Sequence, residues 1–405
     1  MRPRTASPDT DREGVTAQRL RPFGTTIFAE MTQLATQYGA INLAQGFPDF
    51  DGPKALLDAG AAAVLSGQNQ YARSQGHASL VSALAADYER RLGRKVDPLT
   101  QIGTFSGCTE ALMAAMLGLL DPGDEVILFE PFYDSYPACV ACAGAVPRFA
   151  TLRFPDFAFD AAAFEALITP RTRLVVLNSP HNPTGKVFTR DELVVLGDIC
   201  KRHDLILISD EVYEHITFDG VEFVSPASLD SLADRTLVLS SAGKTFSVTG
   251  WKVGWSYGPA TLVAAAQSAH QFITFSTSTP FQVALAQALA PDGPLGSPYL
   301  DTLRADYTAR RDYLTDALKS LGFIVTAPQG TYFILADFTP LFDGDDRAVV
   351  RHLVAEVGIA AIPPSVFYGA SDDGRRLVRF AFCKRPETLT AAVERLSRPG
   401  AFRRP

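Results

Sequence analysis

A chain of 405 residues is longer than one ordinary core usually grows, so a main domain with a second lobe is expected. Hydrophobic residues at 47% and charged residues at 20% fit a soluble globular protein, and no apolar run approaches membrane-spanning length. The net charge of −7 argues against nucleic acid or an anionic membrane as the main partner.

Residues 1–18 mix Arg, Asp, Glu, Thr and Pro without an apolar core, which reads as a disordered tail and not as a signal or transit peptide. Residues 19–50 then form an N-terminal arm, 51–299 the large domain, and 300–405 the small domain to which the arm contributes. Ser106-Gly107-Cys108-Thr109-Glu110 is a small-residue turn opening a helix through Leu120, and Glu125 to Glu130 reads as a strand. Leu174 to Leu177, Leu205 to Ser209 and Thr236 to Leu239 are short, continuously apolar runs of the kind buried on both faces of a parallel sheet. Thr189-Arg190-Asp191-Glu192 is a capping box before the helix Leu193 to His203. Beyond Leu300 come a long amphipathic helix to about Leu321, strands near Gly322–Thr326 and Thr331–Ala336, a helix Asp346–Val357 and a strand Leu377–Phe382. The alternation predicts an α/β fold with a mainly parallel sheet flanked by helices, plus a smaller α+β domain.

The cysteines at 108, 139, 142, 200 and 383 are odd in number and scattered, which suits a reducing compartment and points to the cytoplasm. Cys139 and Cys142 form a C-x-x-C with no second Cys or His pair, so core packing is expected there. None of the six histidines has ligand spacing, and no metal is expected.

Chemistry gathers where apolar runs end, because ligands of open α/β sheets collect at the carboxyl ends of strands. Lys244 follows one such run among small residues; a buried lysine is deprotonated more easily and can form a Schiff base with a carbonyl. Asp210 ends another run, with Tyr213 three residues on, and a buried carboxylate needs a partner such as a protonated pyridine nitrogen. Asn182, in Asn178-Ser179-Pro180-His181-Asn182-Pro183-Thr184-Gly185, stands in a loop stiffened by two prolines. The turn at 106–110 offers free N–H groups and a hydroxyl to a phosphate, with Ser241 and Lys252 as further donors. Neither G-x-G-x-x-G nor a P-loop nor a G-x-S-x-G elbow occurs.

In order and spacing, Asn182-Pro183-Thr184-Gly185, Ser209-Asp210-Glu211-Val212-Tyr213 and the run Ser240 to Trp255 resemble the fold-type I pyridoxal phosphate aminotransferases of class I/II. Ala44 to Phe50, Glu130 to Tyr136 and Asn178 to Pro183 are most similar to the kynurenine/glutamine aminotransferases and bacterial methionine aminotransferases. The resemblance implies a seven-stranded sheet and pyridoxal 5'-phosphate as cofactor. It implies that Lys244 binds the cofactor covalently and moves the substrate proton, that Asp210 keeps the ring nitrogen protonated, and that Asn182 and Tyr213 bond the ring oxygen. Tyr133 would stack on the ring; Gly107, Cys108, Thr109, Ser241 and Lys252 would hold the phosphate; Tyr71 would reach it from a neighbouring subunit, which implies a homodimer.

Arg379 would clamp the substrate α-carboxylate, an arginine inside an apolar β-type run being there for more than packing, with Asn182 and the backbone of Gly46 beside it. Phe28, Phe275 and Tyr368 would shape the side-chain pocket, Phe275 across the dimer. Phe28 and Ser276 fall where some kynurenine aminotransferases have tryptophan and histidine. The implied pocket is apolar and aromatic, favouring methionine or aromatic amino acids among donors of the methionine, aromatic, kynurenine or glutamine type, with a 2-oxo acid as acceptor. Two alternatives stay open: an N-succinyldiaminopimelate aminotransferase, suggested by the start Arg19-Leu20-Arg21-Pro22-Phe23, and a C–S β-lyase on the same scaffold.

Overall fold

A computed structural model of the chain describes residues 15–290, 293 and 296–402, so the tail expected over 1–18 lies, but for its last four positions, outside the described residues. Strands follow in chain order as β1 (Ile41–Asn42), β2 (Ile102–Phe105), β3 (Glu125–Glu130), β4 (Val146–Thr151), β5 (Thr172–Asn178) and β6 (Ile206–Asp210). Then come β7 (Thr236–Ser241), β8 (Gly254–Tyr257), β9 (Ile324–Val325), β10 (Phe333–Asp337), β11 (Ile359–Ala360) and β12 (Leu377–Ala381).

Seven of these form one sheet in the order β2-β8-β7-β6-β5-β3-β4, parallel except where β8 meets β2 and β7. The continuous apolar run of β5 splits by alternation. Leu174 and Val176 face a core shared with the helices Cys108–Leu119 and Ala260–Ile273. Val175 and Leu177 face the opposite core, shared with the helix Arg190–Arg202. That helix opens on the expected capping box: Thr189 accepts from the Glu192 N–H, and the Glu192 side chain reaches back. Pro147, which cannot donate to a ladder, sits on the edge strand β4.

The helix expected through Leu120 spans Cys108–Leu119 and opens directly on Gly107, whose φ of +82° is the left-handed turn that glycine makes readily. Beyond residue 300, β12, β10 and β9 form an antiparallel sheet, while β1 of the N-terminal arm pairs in parallel with β11. One core joins Ile27, Met31 and Ala35 of the helix Ile27–Tyr38 to Leu353, Val357 and Phe380. The helix expected to Val357 is α-helical to His352 and finishes in a π-helical turn, Leu353–Val357. On the helix Ser135–Cys142, Cys139 is buried and Cys142 half-buried, both as free thiols.

Register decides where the site falls. Asn178 pairs with Asp210, and Asp210 with Leu239, so the carboxyl ends of β5, β6 and β7 lie along one rim.

Candidate active site

Above that rim opens a cavity of about 270 Å³, walled by strand ends on one side and by residues of the N-terminal arm, β10 and β12 on the other. Lys244 sits on the single helical turn Ala242–Thr245 that follows β7 and projects into it. Its Nζ donates to the Gly46 carbonyl at 3.2 Å and lies 5.7 Å from the ring centres of both Tyr213 and Tyr332. Burial disfavours the ammonium and pulls its pKa below the ordinary lysine value. The amine is thus eased toward the neutral, nucleophilic form.

Asp210, the last residue of β6, is buried across the cavity from that amine. Its Oδ2 accepts from the Tyr136 phenol at 2.8 Å, and its Oδ1 from the Cys108 thiol at 3.6 Å and the Val212 N–H at 3.3 Å. Burial raises the carboxyl pKa, and these donors pull it back. Asn178 braces the same rim: its Nδ2 donates to the Asp210 carbonyl at 2.9 Å, and its Oδ1 accepts the Asn182 N–H at 2.7 Å.

At one end of the cavity the helix Cys108–Leu119 presents its N-terminus, with no side chain capping it. Gly107 is needed there twice over, for its positive φ and because a Cβ would come within 3.0 Å of Lys252 Nζ. Gly254 allows the close approach from the other side, since its Cβ would meet the Cys108 nitrogen at 2.6 Å. Gly107, Cys108, Thr109, Ser241 and Lys252 all line this end. Uncapped N–H groups beside a lysine make an anion site. A cradle that a Cβ would fill, a buried carboxylate and an eased lysine amine, all on one cavity, fit the phosphate, ring nitrogen and aldehyde of pyridoxal 5'-phosphate.

Arg379 enters from β12. It is 1% exposed, with Nη1 donating to Asn182 Oδ1 at 3.1 Å and Nη2 to the Ala44 carbonyl at 2.9 Å. The Gly46 carbonyl is taken by Lys244 and by the Tyr332 phenol at 2.6 Å. Tyr133, Tyr213, Asn182 and Phe28 line the cavity as well.

Three expected site residues lie outside this chain's own cavity, two of them (Tyr71 and Phe275) having been expected to act across a dimer. Tyr71 is 83% exposed and Phe275 49%, and their rings meet edge to face at 5.5 Å on the outer surface. Tyr368 is not among the residues lining the cavity; its hydroxyl is buried without a partner. Sequence reasoning also passed over residues that the fold brings in. Tyr136 closed a quoted motif without a role, while Gln45, Phe47 and Phe333 read as arm or core. Only the pairing of Tyr136 with a carboxylate on another strand exposes its part.

The sequence model for "Aminotransferase class I and II" matches residues 38–396. The probable N-succinyldiaminopimelate aminotransferase DapC of Mycobacterium tuberculosis is 45% identical over 394 residues, 95% of this chain and 98% of that protein. The methionine aminotransferase of Escherichia coli is 41% identical over 389 residues, 96% and 99% of the two chains. Among solved structures, N-succinyldiaminopimelate aminotransferase from M. tuberculosis superposes with a TM-score of 0.91 at 46% identity, covering 94% of this chain and 99% of that one. Aspartate aminotransferase from Thermus thermophilus superposes with a TM-score of 0.87 at 31% identity, covering 94% and 98%. The chain belongs to the class I and II aminotransferases, fold-type I enzymes that work with pyridoxal 5'-phosphate.

Proposed function

We propose that this aminotransferase moves the amino group of an L-amino acid with an apolar or aromatic side chain, methionine foremost, to a 2-oxo acid. The observation that carries the reading is the wall of the cavity: Phe28, Phe47 and Phe333 line it together with Lys244 and Arg379, and the rings of Phe28 and Phe333 lie beside the guanidinium. The Escherichia coli relative named for methionine supports the same donor class. The M. tuberculosis relative supports a second reading, with N-succinyldiaminopimelate as donor.

The cofactor, when bound, supplies an electron-accepting ring that stabilises negative charge at the substrate Cα. The chain's own residues do the rest. Arg379 receives the α-carboxylate, and Asn182, bonded to it, fixes the angle of the clamp. The Lys244 amine, released from the Gly46 carbonyl, takes the Cα proton and returns it on the other side of the exchange. Asp210, held by Tyr136 and Cys108, keeps a negative charge facing the ring nitrogen. The helix N-terminus at Cys108, with Ser241 and Lys252, holds the phosphate end. Tyr133 would stack on the ring, and Tyr213 would bond its oxygen.

The enzyme works as a homodimer in the cytoplasm. Exposed Tyr71, Phe272 and Phe275 give one surface an aromatic face of the kind a second copy buries, and Tyr71 reaches the partner's phosphate from there. The N-terminal arm and residues 300–405 form one small domain over a large domain of residues 51–299. Phe275 shapes the far end of the substrate pocket across the dimer.

The test is the visible spectrum of the holoenzyme before and after L-methionine, with no oxo-acid acceptor. Bleaching of the yellow band with one equivalent of oxo acid per site supports the methionine reading. Bleaching by N-succinyldiaminopimelate and not by methionine replaces it with the second.

A further inference from the structure

Arg379 is buried with an incomplete set of partners. Among the described residues no carboxylate is in ion-pair contact with it, although the charge of half-buried Asp134 steadies it from further off, and its Nε is buried with no hydrogen-bond partner. What surrounds the guanidinium instead is aromatic. Its carbon lies 4.1 Å from the ring centre of Phe333, 5.2 Å from that of Phe28 and 5.3 Å from that of Phe367. Burial lowers its pKa to about 10, which still leaves the cation charged at neutral pH.

The rings come from three separate parts of the chain and are held in place. Phe28 belongs to the N-terminal helix and packs on Phe367, with ring centres 6.1 Å apart. Phe367 is 1% exposed, and its carbonyl accepts the Phe132 N–H at 2.8 Å, tying it to the end of β3. Just beyond it, Gly369 and Ala370 donate their N–H groups to Glu130 Oε2 at 2.6 and 3.0 Å. Phe333 opens β10 and fits against Gly46, where a Cβ would stand 2.5 Å from its Cζ.

A guanidinium stripped of water is costly unless something replaces its solvation. Ring faces replace it in part without neutralising it, because they attract a cation through their quadrupole and carry no charge. A carboxylate in direct contact would stabilise the cation better and would compete with substrate, which Asp134, acting from further off, does not. We propose that Phe333, Phe367 and Phe28 form an aromatic sleeve that holds Arg379 charged and with no counter-ion in contact, and so sets the enzyme's affinity for the substrate carboxylate. The three are positioning residues acting through Arg379. The proposal rests on the reading of Arg379 as the carboxylate clamp.

Phe367 allows a clean test, because it touches the guanidinium and is not among the residues lining the cavity. Phe367→Leu and Phe333→Leu would be made in the holoenzyme, with Arg379→Ala as control. The probes are two dead-end inhibitors, 3-phenylpropanoate and its carboxamide, together with KM and kcat for the amino acid. The sleeve predicts that the preference for acid over amide falls roughly tenfold or more in each Phe variant, the size of one desolvated cation–π contact. KM for the amino acid should rise more than kcat falls. Equal losses for acid and amide would reduce the rings to ordinary pocket wall and overturn the proposal. A Phe variant that keeps the wild-type acid preference, while Arg379→Ala loses it, overturns the sleeve alone. If Arg379→Ala keeps that preference, the clamp itself is wrong. Should Phe333→Leu fail to retain cofactor, Phe367→Leu decides.

Discussion

The Tyr136 phenol donates to Asp210 Oδ2 at 2.8 Å from the helix Ser135–Cys142, so the carboxylate at the end of β6 is held by a side chain that follows β3. With the Cys108 thiol on the other oxygen, both Asp210 oxygens meet donors that favour the charged form. Tyr136→Phe removes a hydrogen bond to a charged group, about 1.5–3 kcal/mol. The Asp210 carboxyl should then titrate higher and hold the ring nitrogen less well. Cofactor affinity, read by adding pyridoxal phosphate to the apoenzyme, should fall by roughly tenfold or more. Unchanged affinity would mean that the phenol is structural only.

Lys244 makes one hydrogen bond, to a backbone carbonyl, and carries little of the packing. Lys244→Ala should therefore fold with a melting temperature near that of the parent while losing turnover by at least roughly a hundredfold, the lower range for a positioned proton-transfer group. Near-normal turnover in a folded Lys244→Ala enzyme would sink the assignment.

Gly46→Ala tests the fit of Phe333. The new methyl would meet the ring at 2.5 and 2.9 Å, and a ring that is 2% exposed has little room to retreat. Overpacking of this kind costs about 1–3 kcal/mol. The expected result is a lower melting temperature and a higher KM for the amino acid, as the ring shifts off Arg379. Parental values for both would mean that the arm moves aside freely.

Glu211 gives a pH signature outside the reaction. It is fully buried; Ser209 and Ser225 donate to its Oε1 at 2.9 and 2.7 Å, and its Oε2 has no partner. Burial, and then the negative charge of Glu214, raise its pKa from 4.5 to about 8. Arg91, ion-paired to Glu214, keeps that second carboxyl low against its burial. A folded-state pKa above the unfolded one means that the native protein binds the extra proton. Glu211 thus stabilises fully below about pH 4.5, and its contribution falls as pH rises toward 8. Glu211→Gln, which keeps an acceptor for both serines, should flatten the loss of urea resistance between pH 5 and 8. Parallel curves for parent and variant would exclude a proton on Glu211.

The strand ends were legible because buried parallel strands leave runs such as Leu174-Val175-Val176-Leu177, and Asn178 and Asp210, the polar residues closing two of these runs, line the cavity. Arg379 stood out for the opposite reason, a cation inside an apolar strand. Of its ring neighbours only Phe28 stood out, as a pocket residue; Phe333 and Phe367 lie in distant segments and each alone reads as core. Tyr136 was hidden in the same way, by a partner 74 residues further along the chain. β2 and β8, which carry Gly103, Gly254 and Ser256, lack the apolar continuity that marked β5. Periodicity reports how one segment meets the core, and these contacts depend on two segments at once.

The parallel pairing of Ile41 with Ile359 ties together points almost the whole length of the chain apart. During synthesis from the N-terminus, the arm emerges long before its partner strand exists. The face of the helix Ile27–Tyr38 formed by Ile27, Met31 and Ala35 therefore leaves the ribosome with nothing to cover it until Leu353 and Val357 follow. Such long-range closure makes for slow maturation.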